Sequence, residues 1–467
     1  MITIVGGGLA GSEAAWQAAL QGVPVTLHEM RPVRPTAVHK TDRLAELVCS
    51  NSFRGDKLDN AVGLLKEEMR RLGSLVMRAA EASRVPAGAA LAVDRERFAH
   101  IVTESLERER LITIVREEVR AIPASSERHP VILATGPLTS DALSADLVRL
   151  VGQEHLSFYD AISPIVLAES IDRTKVFRAS RWNRNVRNVR QTPDGQADVS
   201  CGIDDGEGDY LNCPLTREEY ERFHDALVHA ESATIRDFDK AVFFEGCLPV
   251  EVMAHRGEGT LRFGPMKPVG LIDPRTGRPP YAAVQLRQDN LAGDHYSLVG
   301  FQTQLKWGEQ ERVLRLIPGL ERAEFVRFGM VHRNTYLNAP AVLADTWQVR
   351  SRPTLLCAGQ MSGVEGYVES AASGLLAGLN AAALASGRPP SAPPRTTAAG
   401  ALAYYVSHAN PAHYEPSNIT FGIMPPLLRA PRSKVARKLA ISERALADLQ
   451  TWMHERTSQS LPAVSQA

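Results

Sequence analysis

A glycine-rich turn near the amino terminus constrains the fold more than any other feature of this chain. The sequence predicts a strand, a glycine turn, a helix and a second strand, over residues 2–5, 6–11, 12–21 and 23–29. Two strands joined by one helix in so short a span require a parallel sheet with a right-handed crossover. We therefore expect an α/β protein that begins with a Rossmann-like domain.

The glycine turn also predicts a ligand. Its spacing is GxGxxG, and N–H groups and the helix dipole at such a turn favour a pyrophosphate. Glu29 ends the second strand and can accept hydrogen bonds from a ribose 2′-OH, which favours FAD or NAD over NADP. A purely structural turn is the alternative, but strand, turn, helix and acid all agree. The residues predicted to bind the dinucleotide are Gly6, Gly7, Gly8, Leu9, Ala10, Gly11 and Glu29.

A later glycine turn favours FAD over NAD. Residues 130–137 and 353–359 each predict a buried strand that runs into a glycine turn. Gly359 and Gln360, with Gly366 soon after, lie where they could reach the far end of an extended FAD, although a plain tight turn is the alternative. The sequence has no second GxGxxG, which argues against a dedicated nicotinamide domain. Reduction by transiently bound NADPH or NADH stays open.

The two strand-to-glycine edges indicate a discontinuous first domain. A large α+β insertion is expected between them, followed by a helical segment and a polar, frayed tail. Within the first part, residues 59–82 predict one amphipathic helix with Asp59 or Asn60 as N-cap. The expected boundaries are 1–140 and 331–400 for the FAD-binding domain, 141–330 for the insertion, 401–446 for the helical segment and 447–467 for the tail.

Composition excludes several classes of protein. Lys and Arg number 53 and Asp and Glu 53, so no overall field draws the chain to nucleic acid or membrane, and an anionic partner needs a local patch. Five scattered cysteines suit neither a disulfide framework nor, without CxxC or CxxH spacing, a zinc site. The amino terminus has no basic leader and no stretch approaches a membrane span, so we expect a soluble, cytoplasmic protein. The sequence does not indicate an oligomeric state.

Two cysteines lie in settings that suit reactive thiols. Cys49 follows an apolar run, with Arg54 close by and a helix start soon after, and both features favour a thiolate. Cys247 lies in a glycine and proline turn. A single cysteine is more often a small buried hydrophobe, and Cys357, inside an apolar strand, fits that description. The remaining cysteines, Cys201 and Cys213, have no informative charge context.

Two basic segments are compatible with phosphate binding. Residues 173–190 carry seven basic side chains and no acid, together with Phe177 and Trp182. Residues 429–438 form a second basic run. Solvated loops are the alternative for both, because no periodicity places the charges on one face.

Longer phrases of the sequence identify a family. The chain resembles the TrmFO family, the folate- and FAD-dependent tRNA (uracil-5-)-methyltransferases of bacteria, over nearly its whole length. The phrases that carry the resemblance are GGGLAGSEAAWQAA, LVCSNSFRGDKLDNAVGLLKEEMR, VPAGAALAVDR, DYLNCPLTREEYERF, FFEGCLPVEVMAHRG, GFQTQLKWGEQ, HRNTYLNAP and AGQMSGVEGYVESAASGLLAG. Together they are far more specific than a dinucleotide turn.

The resemblance implies a reaction and its cofactors. Uridine 54 in the tRNA T-loop would become 5-methyluridine, with carbon from 5,10-methylenetetrahydrofolate. Reduced FAD would supply the hydride, and NADPH or NADH would be the external reductant. GidA-like tRNA modification enzymes share the FAD fold and the folate donor, so they are the nearest alternative.

The resemblance also implies roles for particular residues. Uracil C5 is a poor nucleophile until a thiolate adds to C6, and the match gives Cys247 as that nucleophile and Cys49 as acid/base partner. Tyr367 matches a tyrosine that lies against the flavin ring. A weaker hypothesis, from chemistry alone, concerns a pterin edge and a glutamate carboxylate. The side chains suited to bind them are Arg333, Asn334 and Tyr336.

Other interpretations of the function remain besides this methyltransferase activity. The chain departs from the family pattern between Arg181 and Gly208, where extra residues overlap the first basic segment, so a role for that segment is not inherited. A flavin-dependent thiol or disulfide oxidoreductase is a second candidate, although the chain lacks a paired-cysteine motif. A third is a non-catalytic RNA-binding flavoprotein. Cysteine variants discriminate between the catalytic and non-catalytic readings.

Overall fold

The structure is a computed structural model that describes residues 1–36, 38–152, 156–161, 163–183, 208–232, 248–329 and 331–458, with the backbone alone at 156–161, 183, 331–335, 413 and 457–458. Strands and helices alternate in its first part. The strands are β1 Ile2–Val5, β2 Val25–Glu29, β3 Ser52–Gly55, β4 Arg84–Val85, β5 Ala90–Val93, β6 Ile112–Arg116, β7 Val131–Leu133, β8 Leu156–Ala161, β9 Ile165–Leu167, β10 Phe177–Arg178, β11 Tyr210–Leu215, β12 Ala282–Gln288, β13 His295–Leu298, β14 Phe325–Arg327, β15 Val331–Tyr336, β16 Gln348–Val349 and β17 Arg352–Cys357. The helices are α1 Leu9–Leu20, α2 Ala61–Arg71, α3 Leu75–Ala82, α4 Arg95–Arg108, α5 Asp141–Val151, α6 Arg217–Val228, α7 Val250–His255, α8 Thr260–Phe263, α9 Trp307–Leu314, α10 Ala339–Val342, α11 Tyr367–Ala385, α12 Ala398–His408 and α13 Lys434–Ser458.

A six-stranded sheet organises the first core, in the order β16-β17-β7-β1-β2-β6. Strand β1 pairs in parallel with β2 on one side and β7 on the other, and β17 pairs in parallel with β7. The carboxyl ends meet at one edge, because Val5 lies level with both His28 and Leu133, and Leu133 with Cys357. Ligands of such sheets bind outside the carboxyl ends of the strands, at the point where the strand order reverses. In this sheet that point is at β1. The sheet joins strands from both halves of the chain.

Helices α1 and α11 pack closely on this sheet. A Cβ added at Gly374 would lie 2.1 Å from the carbonyl oxygen of Ala10, and one at Gly378 would lie 2.5 Å from that of Ala14. Glycine at these positions therefore permits the contact. By length and composition α11 could cross a membrane, contrary to the expectation that no stretch approaches a span, but 83% of its apolar window is buried in the fold. Its apolar composition is explained by this burial.

A second sheet has its own core. Its strands are antiparallel and follow the order β10-β11-β12-β13-β9-β14. Buried side chains of α6, α7 and α9, among them Phe223, Val250 and Val313, pack against strand residues such as Val284 and Leu286. Strands β8 and β15 form a separate antiparallel pair. The molecule therefore has two large cores, one for each sheet.

The helix predicted over 59–82 is two helices, α2 and α3. Gly73 separates them with a φ of +74°, a conformation that glycine adopts without the strain of a Cβ. Ser74 then caps α3, and its hydroxyl oxygen accepts the N–H of Met77 at 3.1 Å. The predicted N-cap Asn60 is confirmed, since its side-chain oxygen accepts an N–H at the start of α2. Amphipathic periodicity continued across the break and hid it.

The prediction of a polar, frayed tail from Ala447 onward is wrong for residues 447–458, which are helical. Helix α13 continues as far as Ser458, and it buries Leu449 and Trp452 in the first core. The apolar side chains are widely spaced among polar ones, so the segment read as a frayed end. Residues 459–467 lie outside the described part of the chain.

Candidate active site

The glycine turn between β1 and α1 opens onto a cleft. A Cβ at Gly6, where φ is +105°, would lie 2.4 Å from the carbonyl oxygen of Ala134, and one at Gly11 would lie 1.8 Å from that of Gly6. Gly8 differs, because no atom in the described part of the chain lies within 4 Å of a Cβ added there. Gly6 and Gly11 thus close the turn, while Gly8 faces open space at the start of α1. Backbone N–H groups and the helix dipole favour a phosphate at that position.

Glu29 ties the turn to the end of β2. Its carboxylate accepts the N–H of Gly7 at 2.9 Å and both the N–H and Nε–H of Arg31, at 3.0 and 2.9 Å. Burial alone would raise the pKa of Glu29, but the hydrogen bonds and charge of Arg31 and the bond from Gly7 outweigh it and lower the pKa. The acid is therefore held ionised at the edge where the ribose was predicted.

The cleft is open to solvent, and about 1090 Å³ of empty space, part of it open solvent, lies within its bounds. It brings together most of the residues predicted to bind the dinucleotide, namely Gly6, Gly7, Gly8, Leu9, Ala10, Glu29, Gly359, Gln360 and Tyr367. Gly366, with a φ of +104°, is the residue before α11 and sets the position of Tyr367. The opening at Gly8, the acid at Glu29 and the second turn at Gly359 fit an extended dinucleotide.

Sequence reasoning missed part of the lining. Glu117 and Glu118, which follow β6, line the cleft, as do Arg31, His39 and Glu46 from the segment after β2. The apolar run of β6 ends in acids at the same sheet edge as β1 and β2 and was a usable signal. The segment after β2 has no regular pattern and gave none.

Tyr367 joins the cleft to the Cys49 segment. Its phenolic oxygen accepts the N–H of Cys49 at 2.8 Å and that of Ser50 at 3.0 Å, and its ring lies 5.8 Å from that of Phe53. Burial, together with the charge of Cys49, raises the pKa of Tyr367, so the phenol stays protonated. One side chain therefore lines the cleft and fixes the backbone that carries the thiol.

Three arginines hold the same segment, and we call them the arginine cluster: Arg95, Arg287 and Arg327. They come from α4, β12 and β14, so both cores contribute. The contacts they donate are Arg95 to Leu47 O (3.3 Å) and Asp289 (3.1 Å), Arg287 to Asn51 Oδ1 (2.8 Å) and Ser50 Oγ (3.1 Å), and Arg327 to Val48 O (2.7 Å).

The arginine cluster also sets the charge around Cys49. Each of the three guanidinium groups interacts electrostatically with Cys49. Burial lowers the pKa of Arg287 and of Arg327, whereas the carboxylate of Asp289 outweighs burial and raises that of Arg95. No local motif predicted these arginines, because their sequence positions are far apart. Arg54, which the sequence placed near Cys49, pairs instead with Glu369 of α11.

The remaining cysteines and the candidate substrate-binding residues lie away from the cleft or outside the described part of the chain. Cys357 is fully buried, as predicted, and burial raises the pKa of its thiol to about 12. Burial likewise raises the pKa of Cys213. Tyr336 is buried beside Tyr414, at 6.2 Å between ring centres, and is not among the residues that line the cleft. The predictions for Cys247, Cys201 and most of the 181–208 insertion fall outside the described residues, as do the side chains of Arg333 and Asn334 on β15.

The chain is similar to proteins of known identity. The model of the family "Glucose inhibited division protein A" matches residues 1–389. A relative from Desulforudis audaxviator (strain MP104C), named methylenetetrahydrofolate--tRNA-(uracil-5-)-methyltransferase TrmFO, is 58% identical over 97% of this chain and 98% of its own. Relatives of the same name from Heliobacterium modesticaldum (strain ATCC 51547 / Ice1) and Geobacter sulfurreducens (strain ATCC 51573 / DSM 12127 / PCA) are 56% and 55% identical, each over 97% of this chain and 98% of their own.

A solved structure gives the same fold. Aquifex aeolicus GidA in its form II crystal aligns with 97% of this chain and 73% of its own, with a TM-score of 0.71 and 18% sequence identity. The predicted fold class, a Rossmann-like GidA-like fold with mixed α/β content, is confirmed. The resemblance on which the sequence prediction rested is confirmed as well.

Proposed function

Because the chain belongs to the TrmFO methyltransferases and to the glucose inhibited division protein A family, we propose that it methylates C5 of a uridine in tRNA, with 5,10-methylenetetrahydrofolate as carbon donor. One structural observation carries the proposal. Tyr367 lines the dinucleotide cleft and binds the backbone of Cys49, so a thiol segment and a cofactor site are adjacent. A reaction in which a thiol and a cofactor act on the same substrate requires the two sites to be adjacent.

The dinucleotide that we assign to the cleft is FAD. Gly8 and the first N–H groups of α1 would bind its pyrophosphate, Glu29 its ribose, and the Gly359 turn with Tyr367 its far end. Bound FAD, reduced by NADPH or NADH, supplies the hydride that completes the methyl group.

The thiols have separate tasks in this proposal. A thiolate, assigned to Cys247, adds to uracil C6 and makes C5 nucleophilic. After C5 takes up the methylene carbon, Cys49 removes the C5 proton and tetrahydrofolate leaves, which gives an exocyclic methylene group. Addition of the hydride to this group then expels the Cys247 thiolate from C6. The arginine cluster supports the role of Cys49, because it binds residues on both sides of Cys49 and places positive charge near its sulfur. The role of Cys247 rests on the family resemblance.

The proposed target is uridine 54 of the T-loop, and the proposed location is the cytoplasm, where tRNA is modified. Attack at C6 requires the base to leave its stack, and an unpaired loop makes that easier than a duplex does. The target position rests on the family resemblance.

Nucleoside mass spectrometry tests the proposal. Unmodified tRNA is incubated with the protein, methylenetetrahydrofolate and NADPH, and we expect 5-methyluridine that disappears when the folate is omitted and is not restored by S-adenosylmethionine. FAD-loaded protein that forms no 5-methyluridine would overturn the proposal. A different modified uridine would then indicate a GidA-like reaction, and disulfide reduction a thiol oxidoreductase.

Cysteine variants separate a catalytic protein from an RNA-binding flavoprotein. We expect Cys49→Ser and Cys247→Ser to lose methylation and to keep FAD and tRNA binding. Cys213→Ala is the control, because that thiol is buried in the second core. Full methylation by both serine variants would contradict the assigned roles.

A further inference from the structure

A cluster of unpaired cations lies at the start of α13. We call it the C-terminal basic surface: Arg429, Arg432, Lys434 and Arg437, all of them exposed, with Lys438 partly buried beside them. Lys438 lies over the ring of Phe421, at 5.9 Å from its centre. The sequence has no acid between Glu415 and Glu443, and within the described chain none of the five cations forms an ion pair.

Some exposed cations elsewhere in this molecule are neutralised by acids. Arg71 pairs with Glu67 at 3.2 Å, and Arg312 with Glu309 at 2.7 Å. The chain as a whole has no net charge. The C-terminal basic surface instead combines five cations with a stretch of chain that contains no acid, and this local positive charge attracts a polyanion.

The position of these cations is unfavourable for the helix itself. Lys434 begins α13 and has Arg437 and Lys438 three and four residues later, so the three share one face of the first turn, which contains no acid. The positive end of the helix dipole repels cations at this position. Cations that break this local rule, with no acid in the first turn to offset them, are expected where function requires the charge.

The surface is connected to the active site. Ile419 donates its N–H to Glu369 at 2.9 Å, two residues after Tyr367, and Phe421 follows Ile419 by two residues beneath Lys438. On α13 itself, Ser442 donates to the carbonyl of Leu58, in the segment that follows Cys49 and β3. Hydrogen bonds therefore link the region of the C-terminal basic surface to the helix that carries Tyr367 and to the segment that follows β3.

We propose that the C-terminal basic surface binds backbone phosphates of the tRNA whose uridine enters the active site. The inference rests on the proposed function, since tRNA is the polyanion that this enzyme must hold. Phosphates carry most of the affinity of proteins for nucleic acids, and a chain without net charge must bind them through a local patch. The exposed, unpaired cations of this surface supply such a patch.

The test measures tRNA affinity against salt concentration. The variant Lys434→Gln/Arg437→Gln keeps both side chains polar and removes two charges. Each lost phosphate contact reduces the slope of log K against log salt by about 0.7 to 0.9, so we expect a loss of about 1.4 to 1.8 and about tenfold weaker binding at low salt. Adding Arg429→Gln and Arg432→Gln is expected to enlarge both effects.

A matched control removes two equally exposed arginines elsewhere. Arg110 and Arg128 precede β6 and β7, at the edge of the parallel sheet opposite the cleft. We expect Arg110→Gln/Arg128→Gln to bind like the wild type. All variants should keep their FAD, and Lys434→Gln/Arg437→Gln should unfold at a slightly higher temperature, because it removes cations from a helix start.

The outcomes separate this inference from the proposed function. Variants of the surface with wild-type affinity and salt slope would overturn the inference, whether or not methylation occurs. Loss of binding to phosphatidylserine vesicles with unchanged tRNA affinity would also overturn it and assign the surface to membranes. Wild-type protein that binds tRNA through this surface but forms no methylated product would contradict the function alone, and absence of tRNA binding would contradict both.

Discussion

The cofactor cleft and the Cys49 segment are neighbours built in different ways. The cleft consists largely of backbone at the ends of parallel strands, and its first glycines are adjacent in the sequence. The Cys49 segment is held by Tyr367 and by the arginine cluster, whose members come from separate elements of two cores. A site made of backbone leaves a short motif, whereas a site made of distant side chains does not.

The largest effect is expected in the backbone-built site. Gly8→Asp places a carboxylate in the open space where the pyrophosphate is proposed, so we expect a folded, colourless protein without methylation. Absorbance at flavin wavelengths after gel filtration measures this. Gly308→Asp is the control, because a Cβ there also meets nothing within 4 Å and the residue lies in α9. A yellow Gly8→Asp protein with stoichiometric FAD would contradict the assignment.

The side-chain-built site should respond differently. Arg287→Met removes the hydrogen bonds to Asn51 and Ser50, so we expect about 2 kcal/mol less free energy of unfolding. Misplacement of Cys49 should slow methylation about 100-fold while FAD stays bound. Urea titration and single-turnover methylation measure the two effects.

The control for Arg287→Met is Arg262→Met. Arg262 lies in the second core region, donates to the carbonyl of Tyr281 at 2.9 Å and stacks on its ring. We expect it to lose stability and to keep the methylation rate of folded protein. Equal methylation rates in the two variants would mean that the arginine cluster does not position Cys49.

Tyr367 belongs to both sites, and removal of its hydroxyl should have a smaller effect than either Gly8→Asp or Arg287→Met. Tyr367→Phe keeps the ring and removes the acceptor of two N–H groups, so we expect retained FAD and about tenfold slower methylation, equivalent to about 1.4 kcal/mol. Tyr405→Phe, which loses a bond to the carbonyl of Glu415 at 3.0 Å, is the control. Loss of FAD in Tyr367→Phe would show that the hydroxyl serves the cleft instead.

Glu68 lies outside both sites, so a substitution there is expected to change stability without changing the methylation rate. It accepts the N–H groups of Ala398 and Ala399 at the start of α12, and burial raises its pKa from 4.5 to about 8. Between pH 4.5 and about pH 8, the Glu68 carboxyl keeps its proton in the native protein but has lost it in the unfolded protein. Stability from this group is therefore complete below pH 4.5 and falls as pH rises towards 8, by up to about 1.4 kcal/mol per pH unit.

The test of this pH dependence is urea unfolding between pH 5 and pH 8. We expect Glu68→Gln to lose the contribution of this group to the slope. Glu67→Gln, at the neighbouring position that pairs with Arg71, should keep it. Identical slopes in Glu68→Gln and the wild type would rule out the shifted pKa.

Local patterns in the sequence predicted the backbone-built part well. The strand, turn and helix around Gly8 are present, and Cys357 is buried. The break at Gly73 was missed because hydrophobic periodicity continues across it, and the end of α13 because Trp452 finds its partners only in the folded core. These are tertiary effects that a local pattern does not contain.

The side-chain-built part was predicted through family resemblance more than through physical pattern. Cys49 was found from its phrase, yet its expected partner Arg54 binds Glu369. Arg95, Arg287 and Arg327 are ordinary residues of a helix and two strands until folding brings them to one segment. The residues next to them in the sequence do not indicate that the three arginines come together in the fold.

The pairing of β17 with β7 affects the order in which the protein can mature. A ribosome adds about 5 to 20 residues per second, so roughly 10 to 45 seconds separate the synthesis of these two strands. Until α11 follows, the face of α1 that contains Ala10 and Ala14 has no partner. Small alanine side chains limit the apolar area exposed to other nascent chains during this wait. The cleft, and with it cofactor loading, is complete only after most of the chain has been made.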